Sequence, residues 1–305
     1  MKLEILEAFM IIEEIERLKR ERDAIILAHN YTRPEVQDIA DFVGDSLELS
    51  RIASRLNTKT IVFCGVHFMA ETAYILSPDR TVLLPDFFAG CPMADMINRE
   101  QLIRLKSEHP KAKVVCYVNS SAEVKAESDI CCTSANAVDI VSRFKEEEVI
   151  FIPDKYLGSY VSRVTGKPLI LWEGYCPIHA NMKPEDVLRV KSEHPEAKVV
   201  VHPECPPGII DLADAVKSTS GMLRFVKESE AEEFIIGTEV GIIHRMKKEN
   251  PNKKFYPVKE NSICINMKKI TLEKILMTLE KNEPKVKVSE NIRVRALKAI
   301  ELMIR

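Results

Sequence analysis

The sequence has almost no net charge and no long apolar run. Its 305 residues include 44 basic and 46 acidic side chains, which excludes a general attraction to nucleic acid or to an anionic membrane. No apolar run reaches the roughly 18 residues of a membrane-spanning helix. The charged segment at residues 3–22 lacks the apolar core and the cleavage site of a signal peptide. We therefore expect a globular cytoplasmic protein without nucleic-acid or membrane partners.

Several common functional motifs are also missing. The sequence has no P-loop, no glycine-rich dinucleotide motif and no G-x-S-x-G nucleophile turn. Its eight cysteines do not show the close spacing of zinc fingers or ferredoxins. Without an export signal, they are expected to be thiols or metal ligands rather than disulfides. Long Pro/Gly/Ser linkers are absent, so any domains should pack tightly.

What the sequence does contain is an internal repeat. Cys91 and Cys176 each begin a Cys-Pro segment, and 16 residues later the two segments become nearly identical. Residues 107–115 and 192–200 share eight of nine amino acids. A third, fainter copy is divided between the chain ends, with Cys264 at the equivalent position. The chain is therefore interpreted as three repeats of one unit.

Each repeat contains short apolar runs separated by amphipathic segments, which is typical of parallel strands buried on both faces. The predicted strands are residues 24–30, 60–66, 81–86, 113–119, 129–135, 149–154, 198–204, 213–219 and 233–239. We predict an α/β fold of three α/β/α sandwich domains with parallel sheets, related by a pseudo-threefold axis. The predicted domains are 1–90 completed by 265–305, 91–175 and 176–264. Ligands of such sheets bind beyond the carboxyl ends of the strands.

Three cysteines occupy the same position in the three repeats. If Cys91, Cys176 and Cys264 face the pseudo-threefold axis, their thiolates converge, and such soft ligands select zinc, copper(I) or an iron–sulfur cluster. Three thiolates would hold three corners of a four-iron cluster and leave one iron open as a Lewis acid. Cysteine is also a common buried residue, so a purely structural role is the alternative. That role is expected for the cysteines in strand patterns, Cys64, Cys116, Cys131 and Cys132, and Cys205 is left unassigned.

The repeat also aligns polar residues at the ends of the strands. The three resulting sets are His29, Tyr117 and His202; Tyr31, Asn119 and Glu204; and Asp45-Ser46, Thr133-Ser134 and Ser218-Thr219. Histidine transfers protons near neutral pH, and Glu204 is the one carboxylate of its set and a candidate general base. The Ser/Thr pairs are either plain helix N-caps or part of a shared pocket for phosphate or carboxylate.

Other histidines and one glutamate have weaker assignments. Glu239 and His244 follow a predicted strand and are candidates to line the site. His109 and His194 lie in Ser-Glu-His-Pro turns and are expected at helix ends.

Two further functions remain open from the residues alone. One is a zinc hydrolase or lyase with three cysteine ligands. The other is a non-catalytic protein or iron–sulfur sensor that binds small dicarboxylates. The lack of net charge and of DNA-binding motifs disfavours a transcriptional sensor, and the acid/base sets disfavour a passive binder.

Eight segments of the sequence together resemble the quinolinate synthase family, the A proteins of de novo NAD biosynthesis. They are LAHNY (27–31), DIADFVGDS (38–46), CPMA (91–94), YVNS (117–120), TSANA (133–137), HPEC (202–205), GTEVGIIH (237–244) and NMKK (266–269). The resemblance extends from about residue 15 to about residue 300. The family often has glycine where this chain has Ser220, so the loop there is expected to differ in shape.

The resemblance implies a triplicated α/β fold with a [4Fe–4S] cluster bound by Cys91, Cys176 and Cys264. It implies a transferase that condenses iminosuccinate with dihydroxyacetone phosphate to quinolinate, releasing phosphate and two waters, with the cluster as Lewis acid in dehydration. An iminosuccinate-producing aspartate oxidase or dehydrogenase is the implied transient partner.

The resemblance also implies the roles of individual residues. The implied catalytic residues are His29, Tyr31, Tyr117, His202 and Glu204. The implied substrate-binding residues are His29, Ser46, Tyr117, Asn119, Ser134, His202, Glu204 and Thr219. Our hypothesis is that Glu204 and the pair of Tyr31 and His202 move protons.

Overall fold

The computed structural model of the chain describes residues 2–304, with side chains described for residues 7–304. Within this range the strands form three sheets of four. The first sheet contains β1 (Ala24–His29), β2 (Phe42–Gly44), β3 (Thr60–Cys64) and β4 (Thr81–Leu83). The second contains β5 (Lys113–Tyr117), β6 (Ile130–Cys132), β7 (Val149–Ile152) and β8 (Ile170–Leu171). The third contains β9 (Lys198–Val201), β10 (Ala215–Val216), β11 (Glu233–Gly237) and β12 (Lys254–Pro257).

The three sheets have the same topology. The strand orders are β2-β1-β3-β4, β6-β5-β7-β8 and β10-β9-β11-β12, so the first strand of each unit always lies between its second and third. All the pairings within these sheets are parallel. The predicted α/β fold of three parallel-sheet repeats is therefore confirmed.

Helices connect the strands in each unit. The first unit has α1 (Lys2–Glu21), α2 (Pro34–Ile39), α3 (Ser46–Arg55) and α4 (His67–Leu76). The second has α5 (Arg99–Glu108), α6 (Ala122–Ala126), α7 (Ala137–Ser142) and α8 (Lys155–Thr165). The third has α9 (Pro177–Ala180), α10 (Pro184–Glu193), α11 (Pro207–Ile210), α12 (Thr219–Glu228) and α13 (Ile242–Glu249). Then follow α14 (Leu272–Lys281) and α15 (Glu290–Ile304), and short 3₁₀ helices lie at Ala94–Met96 and Met267–Lys269.

Burial explains why these segments form strands. All residues of β3, β6 and β7 are buried, as expected for parallel strands with helices on both faces. The four cysteines predicted to be structural are fully buried in this core: Cys64, Cys116, Cys131 and Cys132. His109 and His194 end α5 and α10, as predicted. None of the described helices is long and apolar enough to cross a membrane.

The C-terminal segment contacts two units. The helix α14 packs against α1, and its residues Ile275 and Leu279 share a core with β1. The last helix, α15, packs instead against α6 and β6, and also against α4. The division of the chain into three domains at the predicted boundaries stays a prediction.

Candidate functional site

A cavity of about 270 Å³ lies where the carboxyl ends of the three sheets meet. Residues from equivalent positions of all three units line it, as the repeat predicts. The structure places all twelve predicted site residues there: His29, Tyr31, Ser46, Cys91, Tyr117, Asn119, Ser134, Cys176, His202, Glu204, Thr219 and Cys264. The sequence repeat therefore predicted which residues come together, while their chemical roles remain to be tested.

The cysteines of this cavity differ from the others. Cys91, Cys176 and Cys264 are partly exposed, whereas the remaining five cysteines are buried. Burial, together with the nearby Cys264 and Glu204, raises the pKa of the Cys91 thiol to about 12. Burial and Glu204 also raise the pKa of Cys176 well above its usual range. A metal ion or an iron–sulfur cluster would supply the positive charge that stabilises the thiolate form of these three cysteines. The donor set therefore fits a thiolate-bound metal group.

A continuous chain of polar contacts crosses the floor of the cavity. The Tyr31 hydroxyl lies 2.5 Å from Oγ1 of Thr238, which lies 2.8 Å from Nε2 of His179. On the other side of the ring, Nδ1 of His179 lies 2.8 Å from Oε2 of Glu204. The Tyr117 hydroxyl donates to Oε1 of the same carboxylate. Two cavity-lining phenols are thus connected through one imidazole and one carboxylate, and we call these five residues the polar relay.

The protonation states of the relay follow from its surroundings. Burial alone would raise the pKa of Glu204. The neighbouring rings of His179 and His202, together with the Tyr117 hydroxyl, outweigh burial and lower this pKa to about 2. Burial, together with the Glu204 charge, raises the pKa values of Tyr31 and Tyr117 well above 10. The relay therefore contains an ionised carboxylate between two protonated phenols at neutral pH.

The two predicted catalytic histidines are neutral. Burial lowers the pKa of both His29 and His202 to about 3. The Nδ1 of His29 accepts from the backbone N–H of Tyr31 at 3.2 Å, so the ring proton lies on Nε2. The Nδ1 of His202 faces the backbone N–H of Glu204 at 3.4 Å, and its Nε2 donates to Oγ of Ser134 at 3.1 Å. Both rings are therefore fixed as hydrogen-bond donors through Nε2.

Hydroxyl groups form another part of the cavity lining. Ser46, Ser134 and Thr219 line it, and we call them the hydroxyl cluster. Because Ser134 accepts from His202, its own O–H is available for a ligand. The hydroxyls of Ser46 and Thr219 make no side-chain hydrogen bond to any described residue. Such a cluster suits a carboxylate or a phosphate group.

The first residue of the aligned polar pair caps the following helix in two of the three units. Asp45 is the N-cap of α3, and its carboxylate already accepts from the N–H groups of Leu47 and Glu48. Ser218 caps α12 in the same way. In the second unit Thr133 is not the N-cap, since α7 begins at Ala137 after Asn136. The N–H groups of Leu47 and Glu48 are therefore already bonded, and the side-chain hydroxyls of the hydroxyl cluster are the groups that the cavity offers.

Known proteins resemble this chain over nearly its whole length. A model of the NadA family, the quinolinate synthetase A proteins, matches residues 13–305. The chain belongs to this family. The quinolinate synthase of Dehalococcoides mccartyi strain CBDB1 is 56% identical over 296 residues, which cover 97% of this chain and 98% of the relative. That of Thermodesulfovibrio yellowstonii is 57% identical over 294 residues, 96% of this chain and 97% of the relative. That of Methanoregula boonei is 56% identical over 295 residues, covering 97% and 98%.

Two members of the polar relay, His179 and Thr238, were missed by the sequence analysis. His179 is 2% exposed, and its ring stacks on that of His202 with centroids 4.8 Å apart. A signal was available, because His179 follows Cys176 by three residues and therefore shares a face of α9 with it. Thr238 directly follows β11, and no feature of its residue type distinguished it.

Our hypothesis paired Tyr31 with His202, and the described contacts connect these residues differently. Tyr31 contacts Thr238, and His202 contacts Ser134. The histidine that the Tyr31 hydroxyl reaches is therefore His179, through Thr238, while His29 contacts the Tyr31 backbone and ring.

The remaining assignments have mixed outcomes. Glu239 lines the cavity, as expected for a candidate site residue. His244 does not belong to the described lining, because α13 directs its ring to Asp38, 3.0 Å away. Cys205 is buried, and its thiol contacts the carbonyl of Gly237. Ser220, at the position where the family often has glycine, donates to Oε2 of Glu48 at 2.6 Å and so connects α12 to α3.

A second donor group overlaps with the cysteine set. The ligand atoms of Cys176, His179 and Glu204 lie within 4.8 Å of one another and could hold a single metal ion. Oε1 of Glu204 accepts from Tyr117, and Nδ1 of His179 lies 2.8 Å from Oε2. This Nδ1 is buried and has no well-aligned hydrogen bond among the described residues.

Proposed function

We propose that this chain is a quinolinate synthase of de novo NAD biosynthesis. In this proposal it condenses iminosuccinate with dihydroxyacetone phosphate to quinolinate, releasing one phosphate and two waters. The observation that supports it best is the single cavity that joins three thiols, a polar relay and a hydroxyl cluster. This combination matches a reaction that needs a Lewis acid, proton transfers and sites for anionic groups. Family membership makes the same reaction the first expectation.

Cys91, Cys176 and Cys264 would hold a [4Fe–4S] cluster through three of its irons. When bound, the cluster would supply one open iron as a Lewis acid for the loss of a hydroxyl group. The other residues of the cavity would bind the substrates, orient them and move protons.

The hydroxyl cluster and the two neutral histidines would bind the anionic groups of the substrates. Iminosuccinate carries two carboxylates, and dihydroxyacetone phosphate carries a phosphate. Ser134 and the Nε2–H of His29 are donors at the cavity. The Oδ1 of Asn119 is buried and has no hydrogen-bond partner among the described residues, so it suits an imine or hydroxyl donor of the substrate.

The polar relay would move protons during carbon–carbon bond formation and dehydration. Tyr117 would donate its proton to a substrate oxygen, and it would be reprotonated through Glu204 by a proton that enters the relay at Tyr31. Tyr31 would take or return a proton at the other end through Thr238 and His179. Because the relay is buried, these exchanges would occur without competing bulk water.

Two properties of the cellular setting complete the proposal. Iminosuccinate is a reactive imine, so a transient contact with the aspartate oxidase or dehydrogenase that forms it is expected. Both substrates are metabolites of the cytoplasm, and we expect the enzyme to work there as a transferase.

The direct test is product formation by the reconstituted protein under anaerobic conditions. Iminosuccinate would be generated in the assay from aspartate by an oxidase, and quinolinate would be measured by chromatography after addition of dihydroxyacetone phosphate. The proposal expects quinolinate and an equal amount of free phosphate from the wild-type protein. Cluster-loaded protein that forms neither product would refute it. Activity restored by zinc alone would favour a zinc lyase instead.

A further inference from the structure

The loops that carry the three cysteines are held by equivalent backbone hydrogen bonds. A residue shortly after the carboxyl end of the third strand of each unit donates its N–H to the carbonyl two residues before the cysteine. These bonds are His67 to Ala89 (2.8 Å), Lys155 to Gly174 (2.9 Å) and Val240 to Ser262 (3.0 Å). The backbone thus positions each cysteine in the same way, and the three units differ in the side chains that lie beside these bonds.

The side chain that precedes each of these donors differs between the units. In the first unit it is Val66, which has no hydrogen-bonding group. In the second it is Asp154, whose Oδ1 accepts from Leu157 and whose Oδ2 has no partner among the described residues. Burial raises the pKa of Asp154 well above its usual range, and the nearby backbone N–H of Cys176 offsets this only in part. In the third it is Glu239, which is 1% exposed and uses both oxygens. The three units therefore support their cysteines unequally.

Glu239 connects the Cys264 loop to two other elements. Its Oε1 accepts from the backbone N–H of Cys264 at 3.1 Å, and its Oε2 accepts from that of Gly241 at 2.7 Å. The ammonium group of Lys268 lies 2.9 Å from Oε1. The same ammonium donates to the carbonyl of Tyr31 at 2.6 Å. One buried ion pair therefore joins a predicted metal ligand to one end of the polar relay.

The Cys264 loop has particular need of such support. Its neighbours Ile263 and Ile265 are 39% and 72% exposed, so they add little packing on that side. A single 3₁₀ turn, Met267–Lys269, follows it, as Ala94–Met96 follows Cys91. Cys176, in contrast, begins helix α9 directly.

We propose that Glu239, together with Lys268, is a positioning residue that fixes the Cys264 loop for metal binding and couples it to Tyr31. This inference rests on the proposed function, because it assigns Cys264 to the metal centre. Residues that orient metal ligands typically change metal affinity about 10- to 100-fold when they are altered.

Two variants remove the ion pair in different ways. Glu239→Gln removes the charge and replaces one acceptor oxygen by an NH₂ group. Gly241→Ala keeps every charge and donor, and α-helical backbone angles at Gly241 tolerate alanine. Its added Cβ would lie 2.6 Å from Nζ of Lys268, 2.7 Å from Oε2 of Glu239 and 3.1 Å from the carbonyl of Thr32, so the two charged side chains must shift from these positions. Glu233→Gln, which removes one charge of an ion pair with Lys254 at the start of β11, is the matched control.

The first readout uses the metal-free protein. Each variant would be treated with a thiol-alkylating reagent, and the rate at each cysteine measured by peptide mass spectrometry. We expect alkylation of Cys264 to accelerate about tenfold in Glu239→Gln and in Gly241→Ala, while the rate at Cys91 stays unchanged. Wild-type rates at Cys264 in both folded variants would overturn the inference.

The second readout uses reconstituted protein. Iron release to a chelator should be about 10- to 100-fold faster in both variants than in wild type and in Glu233→Gln. Equal release rates in all four proteins would contradict the positioning role. A wild-type protein that holds no cluster would instead refute the proposed function, and the alkylation experiment would still decide the position of the loop.

Discussion

Replacing Glu204 by glutamine tests the polar relay most sharply. The carboxylate is fully enclosed, lies 2.8 Å from His179 and accepts from Tyr117. Glutamine has the same shape, and its carbonyl oxygen can still accept from Tyr117, but it has no negative charge and cannot take up a proton. We therefore expect quinolinate formation to fall about 10²- to 10⁴-fold, the usual contribution of one acid/base group.

The effect of this substitution on stability should be much smaller. A hydrogen bond to a charged group contributes about 1 kcal/mol more than a neutral one, and Glu204 makes two such contacts. The free energy of unfolding should fall by about 2 kcal/mol, which for 305 residues lowers the melting temperature by about 3 °C. Iron and sulfide content should not change, because glutamine leaves the three thiols in place.

The assay compares Glu204→Gln with the control Glu233→Gln, at a half-buried position outside the cavity, under anaerobic conditions. Initial rates of quinolinate formation, cluster content and thermal unfolding would be measured on the same preparations. The control should match the wild-type protein in all three. If Glu204→Gln keeps its cluster and also keeps more than a tenth of the wild-type rate, the relay does not move the essential proton.

Three further substitutions test separate parts of the structure. His179→Phe keeps a ring stacked on His202 but interrupts the relay. Its kcat should therefore fall at least about 100-fold with little change in KM. A change in KM alone would contradict the relay. Ser134→Ala removes a donor to an anionic substrate, so KM should rise about 10- to 100-fold while kcat is largely kept, and an unchanged KM would exclude Ser134 from binding. Glu127 accepts hydrogen bonds from Arg99 and Arg295. Burial raises the pKa of this carboxyl group, but the two arginines outweigh burial and lower the pKa below 4.5. The ionised carboxylate therefore stabilises the fold above pH 4.5, and this stabilisation is lost as pH falls through the lowered pKa. In urea unfolding, Glu127→Gln should lower the free energy of unfolding by about 0.5–1 kcal/mol at pH 7 and leave it unchanged at pH 2. An equal loss at both pH values would contradict the ion pair.

The sequence repeat was enough to predict the fold and the composition of the cavity. Buried parallel strands appear as continuous apolar runs, and the ends of equivalent strands meet in space, so aligned residues such as Tyr31, Asn119 and Glu204 could be grouped from the sequence alone. The strands that were missed, β2, β8 and β12, are short or include proline, and their pattern is too brief to recognise.

The contacts within the cavity could not be predicted in the same way. Which histidine meets Tyr31 depends on side-chain directions in three dimensions, and the structure connects it to His179 rather than His202. Thr238 joins these two residues, although threonine is common after strands and gave no signal. The unequal support of the cysteines by Val66, Asp154 and Glu239 likewise became visible only when the three loops were compared in space.

The central claim is that three symmetry-related cysteines hold an iron–sulfur cluster. Its most direct test is the iron, sulfide and zinc content of protein purified and reconstituted without oxygen. The account predicts about four irons and four sulfides per chain, lost in Cys91→Ser and retained in Cys64→Ala, whose side chain is buried in the core. One zinc per chain without sulfide, even after reconstitution, would contradict it.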